Sequence, residues 1–332
     1  MATLPRVSPE ATWDKLRKGL RGLLAAAARP RTAAVRGGLG AVVRKEFADQ
    51  IRSWRMGILV ALLVVTAVAS LYTAAMTIRE TAGIAATPDF VFLRLFTGGS
   101  EQLPPLTSFL GFLAPLVGIA LGFDAICGEH SRRTLSRVLA QPIHRDALIN
   151  GKFLAGLMAV ALMLVALLAL VGSLGLVMIG VPPTGDELLR LIAFTGITLV
   201  YVAFWLALSI LFSVLFRQAA TSALAGIAVW LFFSVFWEMI VGLVAGSETA
   251  ALWLSRLSPG TLYAEAVLTV LTPTVRTLGP VTIEQLIGAL QGVLPFSQSL
   301  LLVWPQVVGL IAFTAAEFAA AYILFMRREI RA

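Results

Sequence analysis

Charge is scarce in this 332-residue chain: 13% of residues are Asp, Glu, Lys or Arg, where a soluble domain usually has about a quarter. Cysteine is nearly absent. Cys127 is the single one, which excludes an intramolecular disulfide and a cysteine zinc cluster. Histidine is limited to His130 and His144, both in one loop and with no obvious nucleophile beside them. No G-x-x-x-x-G-K-[ST] stretch exists; Gly151-Lys152 lacks the upstream glycine and the following hydroxyl, so ATP is not bound by that route. No H-E-x-x-H and no G-x-S-x-G occur either. These absences predict no catalytic residue, no metal site and no enzyme activity in the chain itself.

What the chain has is apolar length. It is 58% hydrophobic, with a mean hydropathy of +0.89. Six apolar runs stand out, at about 57–78, 106–127, 153–179, 191–216, 219–245 and 304–326. Each exceeds the roughly 20 residues needed to cross a bilayer. Backbone polar groups in lipid must pair within their own segment, so these runs are read as helices. The predicted fold is all-α, a polytopic membrane protein with six transmembrane helices. It has an amphipathic N-terminal helix at the interface and a long outer segment before the last span.

Lys and Arg set the orientation. With both termini placed in the cytoplasm, twenty-one of the 26 basic residues fall on the inner side. The outer segments keep five, together with eight acids. That bias predicts a multi-pass inner (plasma) membrane protein with cytoplasmic termini. Net charge is +8, but the basic residues cluster at span ends, where lipid and topology account for them. Nucleic acid is therefore not a predicted partner, whereas membrane lipid is. No signal peptide is legible, because the first apolar run begins near Gly57, behind a long basic leader.

The leader divides in two. Residues 9–28 place Trp13, Leu16, Leu20, Leu23 and Leu24 on one helical stripe; Pro30 breaks the pattern and Gly37, Gly38 and Gly40 loosen it. Residues 1–40 are read as a basic extension and 41–332 as the six-span domain. Residues 41–55 form a second amphipathic segment with Val43, Phe47, Ile51 and Trp54 on its apolar side, expected to lie in the interface plane. That helix is read either as a topology anchor or as a docking element.

The outer segment from Gly246 to Val303 contains two short amphipathic stretches, 261–271 and 282–294. Both are too short to span. They lie on the outer leaflet or dip inward under protein cover. Arg217-Gln218 is nearly the whole link between spans 4 and 5, which makes a tight helical hairpin.

Two carboxylates fall within apolar runs, Glu238 in span 5 and Glu317 in span 6. A charge at membrane depth costs about 2.5–3.5 kcal/mol on insertion scales, so both are candidate pathway residues. The plainer readings are an interhelical hydrogen bond, or snorkelling of Glu238 to the interface. The aromatic run Trp230–Trp237 is either a cavity wall or, more plainly, a lipid-facing surface. Pro115 is expected to kink span 2.

A charged island, Phe123 to Lys152, separates spans 2 and 3. It carries Asp124-x-Ile126-x-x-Glu129, then Thr134-Leu135, Leu139, Pro142-Ile143-x-Arg145 and Gly151-Lys152. A generic positive-inside loop needs only Lys and Arg, not these ordered positions. The pattern resembles the signature of type-2 ATP-binding-cassette (ABC) transporter permeases, in the branch that includes nitrous-oxide-reductase maturation and gliding-motility permeases. VVRKEFADQIRSWRMGILV is similar to that family's amphipathic lead-in helix, and LSPGTLYAEAV at 257–267 fits as well. The resemblance covers residues 41–332.

The resemblance implies a permease subunit, an exporter rather than an importer. The island would be a coupling helix seated on a separate cytoplasmic ATPase, with Glu129, Thr134 and Leu135 opening it, Arg132 and Arg133 within it, and Gln141 and Pro142 ending it. Lys152 would anchor span 3 at the lipid face. Ser131, Arg132 and Arg133 stand where the family often has a second acid and a glycine, which implies a more acidic docking groove. The implied partners are two copies of the ATPase, holding ATP and Mg, and a second permease copy as homodimer or related heterodimer. Two other classes remain open: an ion-coupled secondary transporter using Glu238 and Glu317, and a non-transporting membrane scaffold.

Overall fold

The computed structural model describes residues 33–81, 90–100, 103–131, 144–273 and 294–327. Among them every regular element is a helix. In chain order these are α1 (Ala33–Ile51), α2 (Trp54–Thr81), α3 (Arg94–Thr97), α4 (Leu106–Gly122), α5 (Cys127–Ser131), α6 (Arg145–Ile179) and α7 (Gly185–Leu215). α8 (Ala219–Leu231) continues through a π turn (Phe232–Phe236) into α9 (Trp237–Val244). Then follow α10 (Glu248–Ser255), α11 (Pro259–Leu271) and α12 (Phe296–Arg327). Six stretches are long and apolar enough to cross a membrane: Trp54–Glu80, Leu106–Glu129, Arg145–Ile179, Gly185–Leu215, Ala219–Val244 and Phe296–Arg327. They fall on the six predicted runs.

α7 is the centre of the bundle and touches α4, α6, α8, α11 and α12. Its apolar window is 78% buried, against 11% for span 5 and for span 6. A helix that is hydrophobic all round belongs inside, and α7 puts Phe194, Tyr201, Trp205, Ile197 and Leu206 into the core. Its start is built by a capping box in which Thr184 and Glu187 bond each other's backbone N–H. α6 stops at Gly180, whose φ of 79° suits the left-handed position that ends a helix.

α4 meets α7 at close range through two glycines four apart. A Cβ on Gly118 would lie 2.9 Å from the Leu206 nitrogen and the Val202 oxygen; one on Gly122 would lie 2.8 Å from the Ser209 Cβ. Small residues at this spacing let two backbones approach. Pro115 has no N–H to give the Gly111 carbonyl one turn back. Tyr201 Oη donates to that carbonyl at 3.2 Å instead. α4 runs through Pro115 as one helix.

At the end of the bundle away from α5, Arg190 is fully buried. Its guanidinium donates to Val270 O at 2.8 Å, Leu294 O at 2.6 Å and Ser299 Oγ at 3.1 Å, and to Asp186 at 2.6 Å. It also lies over the rings of Phe90 and Phe296. One side chain thus ties α7 to the end of α11 and the start of α12. The fork of donors on Arg suits several carbonyls at once.

Two expectations for the leader change. α1 passes continuously through Gly37, Gly38 and Gly40, which were expected to loosen the helical pattern. The segment read as 41–55 is broken: α1 ends at Ile51, and Ser53 Oγ accepts from Met56 N at 3.2 Å to cap α2. Trp54 therefore belongs to span 1 and is 83% exposed. The amphipathic stretch 9–28 lies outside the described residues. So does 282–294, except Leu294. The stretch 261–271 is α11, covered by α4, α7 and α12, with Tyr263, Ala266, Val267 and Val270 buried. Protein cover, not the outer leaflet, is its environment.

Candidate functional site

The island opens on a tethered turn. Ser213 Oγ, near the end of α7, accepts from the N–H groups of Ile126 and Cys127 at 2.9 and 3.1 Å. Those are donors at the start of α5 that a helix of five residues cannot satisfy itself. Ser131 Oγ donates to Arg217 O at 3.2 Å, in the link between spans 4 and 5. Asp124 pairs with Arg55 at 2.7 Å, and Arg55 also lies over the Phe123 ring at 5.1 Å. The stretch from Phe123 to Ser131 is therefore held by α2, by α7 and by the 4–5 link.

Lys152 completes the arrangement. It is 6% exposed and reaches Glu129 at 2.7 Å and Glu46 at 3.0 Å. One ammonium thus joins α1, α5 and α6. The approach is local in origin: Gly151 lacks a side chain where Val42 of α1 packs, and a Cβ there would sit 2.6 Å from Val42 Cγ1. α1 can then lie close enough to α6 for Glu46 to reach Lys152. Burial pushes the Glu46 carboxyl up, but Lys152 and Lys45 outweigh that and hold it below the usual carboxylate range. Lys45 is shared between Glu46 at 3.0 Å and Asp49 at 3.4 Å. These groups line a polar cavity of about 180 Å³ with Gln50, Ser53 and Arg55.

This corrects the expected place of Lys152. It is not an anchor at the lipid face but a buried cation between two carboxylates, because α1 covers that side of α6. Glu129 faces Lys152 as well. Arg132, Arg133, Thr134, Leu135, Gln141 and Pro142 lie outside the described residues. Glu46 was missed in sequence reasoning; an acid inside a basic, amphipathic leader was the available signal.

A second cavity, of about 700 Å³, opens between α4, the π turn and α11. Tyr201 and Tyr263 stack at 4.3 Å on its wall, with Trp205, Phe112 and Phe233 around them. Glu238 lines it and accepts from Thr261 Oγ1 at 3.0 Å. Glu317 does not line it; its Oε2 is buried without a hydrogen-bond partner among the described residues. The two carboxylates are thus not brought together in one lining. The aromatic run divides as well. Phe233 faces the cavity and Trp230 meets Phe112 at 4.8 Å, while Phe232, Val235 and Phe236 are exposed.

Six bilayer-length helices, five of them around the buried α7, make this a multi-pass membrane protein. The chain belongs to the ABC-2 transporter family: that family's description, "ABC-2 family transporter protein", matches residues 40–330. It is also similar to two proteins named "Probable ABC transporter permease protein NosY". The one from Pseudomonas aeruginosa is 32% identical over 177 residues, 51% of this chain and 63% of that protein. The one from Stutzerimonas stutzeri is 28% identical over 251 residues, 70% of this chain and 82% of that protein.

Proposed function

We propose that the chain is the permease subunit of an ABC exporter, driven by a separate cytoplasmic ATPase through the loop between spans 2 and 3. The observation that carries this is the tethering of α5. The turn leading into it is bonded to α2 through Asp124 and Arg55, its start to α7 through Ser213, and its Glu129 to α6 and, by way of Lys152, to α1. A force applied at residues 132–143 enters the bundle at α5 and reaches four elements together. A loop serving only topology needs no such ties.

In this reading ATP and Mg belong to the partner, present in two copies. A second permease copy, identical or related, completes the assembly. The protein sits in the inner (plasma) membrane with both termini on the ATPase side, supported by the bias of Lys and Arg. The family membership and the two NosY-like relatives support the permease role. The test is ATP hydrolysis by the purified complex of this chain with its ATPase. Replacing Thr134 and Leu135 together by Ala is expected to uncouple substrate-stimulated hydrolysis while leaving the complex assembled. Unchanged stimulation would overturn the coupling role of the loop.

A further inference from the structure

The π turn decides what the 700 Å³ cavity presents. Trp237 N–H donates to Phe232 O, five residues back rather than four. In an α-helix, residues five apart point about 140° away from each other. A π turn brings such residues nearly into line, and here Phe233 and Glu238 both line the cavity. Single π turns inside α-helices are frequent at functional sites.

The volume is in the range that encloses a small organic molecule. Most of the exposed wall is apolar, with the rings of Phe112, Trp205, Phe233 and Tyr263 around it. Glu238 is the one charged side chain among the described lining residues, and no Lys, Arg or His faces it there. Thr261 Oγ1 donates to its Oε1 and orients the carboxylate. A carboxylate on a bilayer-length helix calls for a positive partner, and the described wall supplies none.

We infer that this cavity is a binding site for a bulky organic monocation, such as a lipophilic phosphonium or quaternary ammonium. Aromatic faces attract a cation of diffuse charge, and the carboxylate neutralises it. An organic anion would meet Glu238 with the wrong sign. A small inorganic cation would lose its water to a mostly apolar wall. A neutral lipid would leave the carboxylate unpaired. That such a cation is the transported substrate rests on the permease reading above; that it binds does not.

The experiment is equilibrium binding to the full chain in nanodiscs of zwitterionic lipid, with protein-free discs subtracted. The probes are radiolabelled tetraphenylphosphonium and its near-isosteric anion, tetraphenylborate. Saturable binding of the cation and none of the anion is expected. Glu238→Gln is expected to weaken cation binding about tenfold, and Glu238→Asp to retain it. Glu238 is exposed, so both variants should fold, checked by unchanged thermal unfolding. Equal binding of the two ions, or Glu238→Gln binding as tightly as wild type, would overturn the site. Stimulation of the partner ATPase is read separately. Glu238-dependent binding without stimulation keeps the site and removes the transport role. Coupled ATPase activity without Glu238-dependent binding keeps the permease reading and removes this site.

Discussion

Lys152 Nζ lies 2.7 Å from Glu129 Oε1 and is nearly closed off from solvent. The pair joins the start of the island to the third span, and Glu46 joins the same ammonium from α1. Removing Lys152 leaves two part-buried carboxylates facing each other. Lys152→Met is expected to destabilise the protein by about 3 kcal/mol. Adding Glu129→Gln should recover part of that, since one stranded charge is removed. Thermal unfolding of wild type, both single variants and the double variant measures the coupling.

Acid should loosen the same junction. Glu46 is held below its ordinary value of 4.5, so its contribution is fully present above that pH and is lost as pH falls through the lowered value. Protection factors of the α1 amides, which remove the pH dependence of intrinsic exchange, are expected to fall below about pH 4.5. In Glu46→Gln that pH step should be diminished.

Tyr201 and Pro115 form a linked pair through the Gly111 carbonyl. Tyr201→Phe removes the donor and is expected to cost about 1 kcal/mol. Pro115→Ala restores a backbone N–H within α4. In that background Tyr201→Phe should cost measurably less, which a double-mutant cycle detects.

The glycines of α4 make a sharper contrast. Gly118→Val places carbon 2.9 Å from backbone atoms of α7 that cannot step aside. A loss of about 3 kcal/mol or misassembly is expected. Gly40, inside α1, has nothing within 4 Å of an added Cβ. Gly40→Ala should stabilise by up to about 1 kcal/mol. Thermal melts of the two variants side by side test whether proximity, rather than the residue type, decides the sign.

Arg190→Lys tests the fork of donors at the opposite end of the bundle. Lys keeps the charge but not the fork that serves Val270 O and Leu294 O together. A loss of about 2 kcal/mol is expected. It should appear first as faster hydrogen exchange at the end of α11 and the start of α12.

The spans were legible because their signal is local. About 20 apolar residues in a row can be read without knowing the neighbours, and Gly185–Leu215 or Ala219–Val244 fall where the runs predict. The ends were less legible. α6 begins at Arg145, well before its apolar run, because Lys152 finds two carboxylates and can be buried within the helix. Nothing in the sequence around Arg190 announces its burial, which depends on oxygens brought to it by Val270, Leu294 and Ser299. The split of the aromatic run also depends on the π turn, which no residue spacing announced.

Composition and apolar run length alone determined a six-helix membrane protein, and the ordered island pointed to the permease family. Hydrophobicity is a property of each segment by itself, so it survives without coordinates. Which helix became the core, which carboxylate faced a cavity and which cation was buried were decided only by the tertiary structure. Those outcomes depend on distances between segments far apart in the chain: Gly118 against Leu206, Glu46 against Lys152, Glu238 against Thr261. Charge and close packing act over a few ångströms, and only the fold sets which groups come that near.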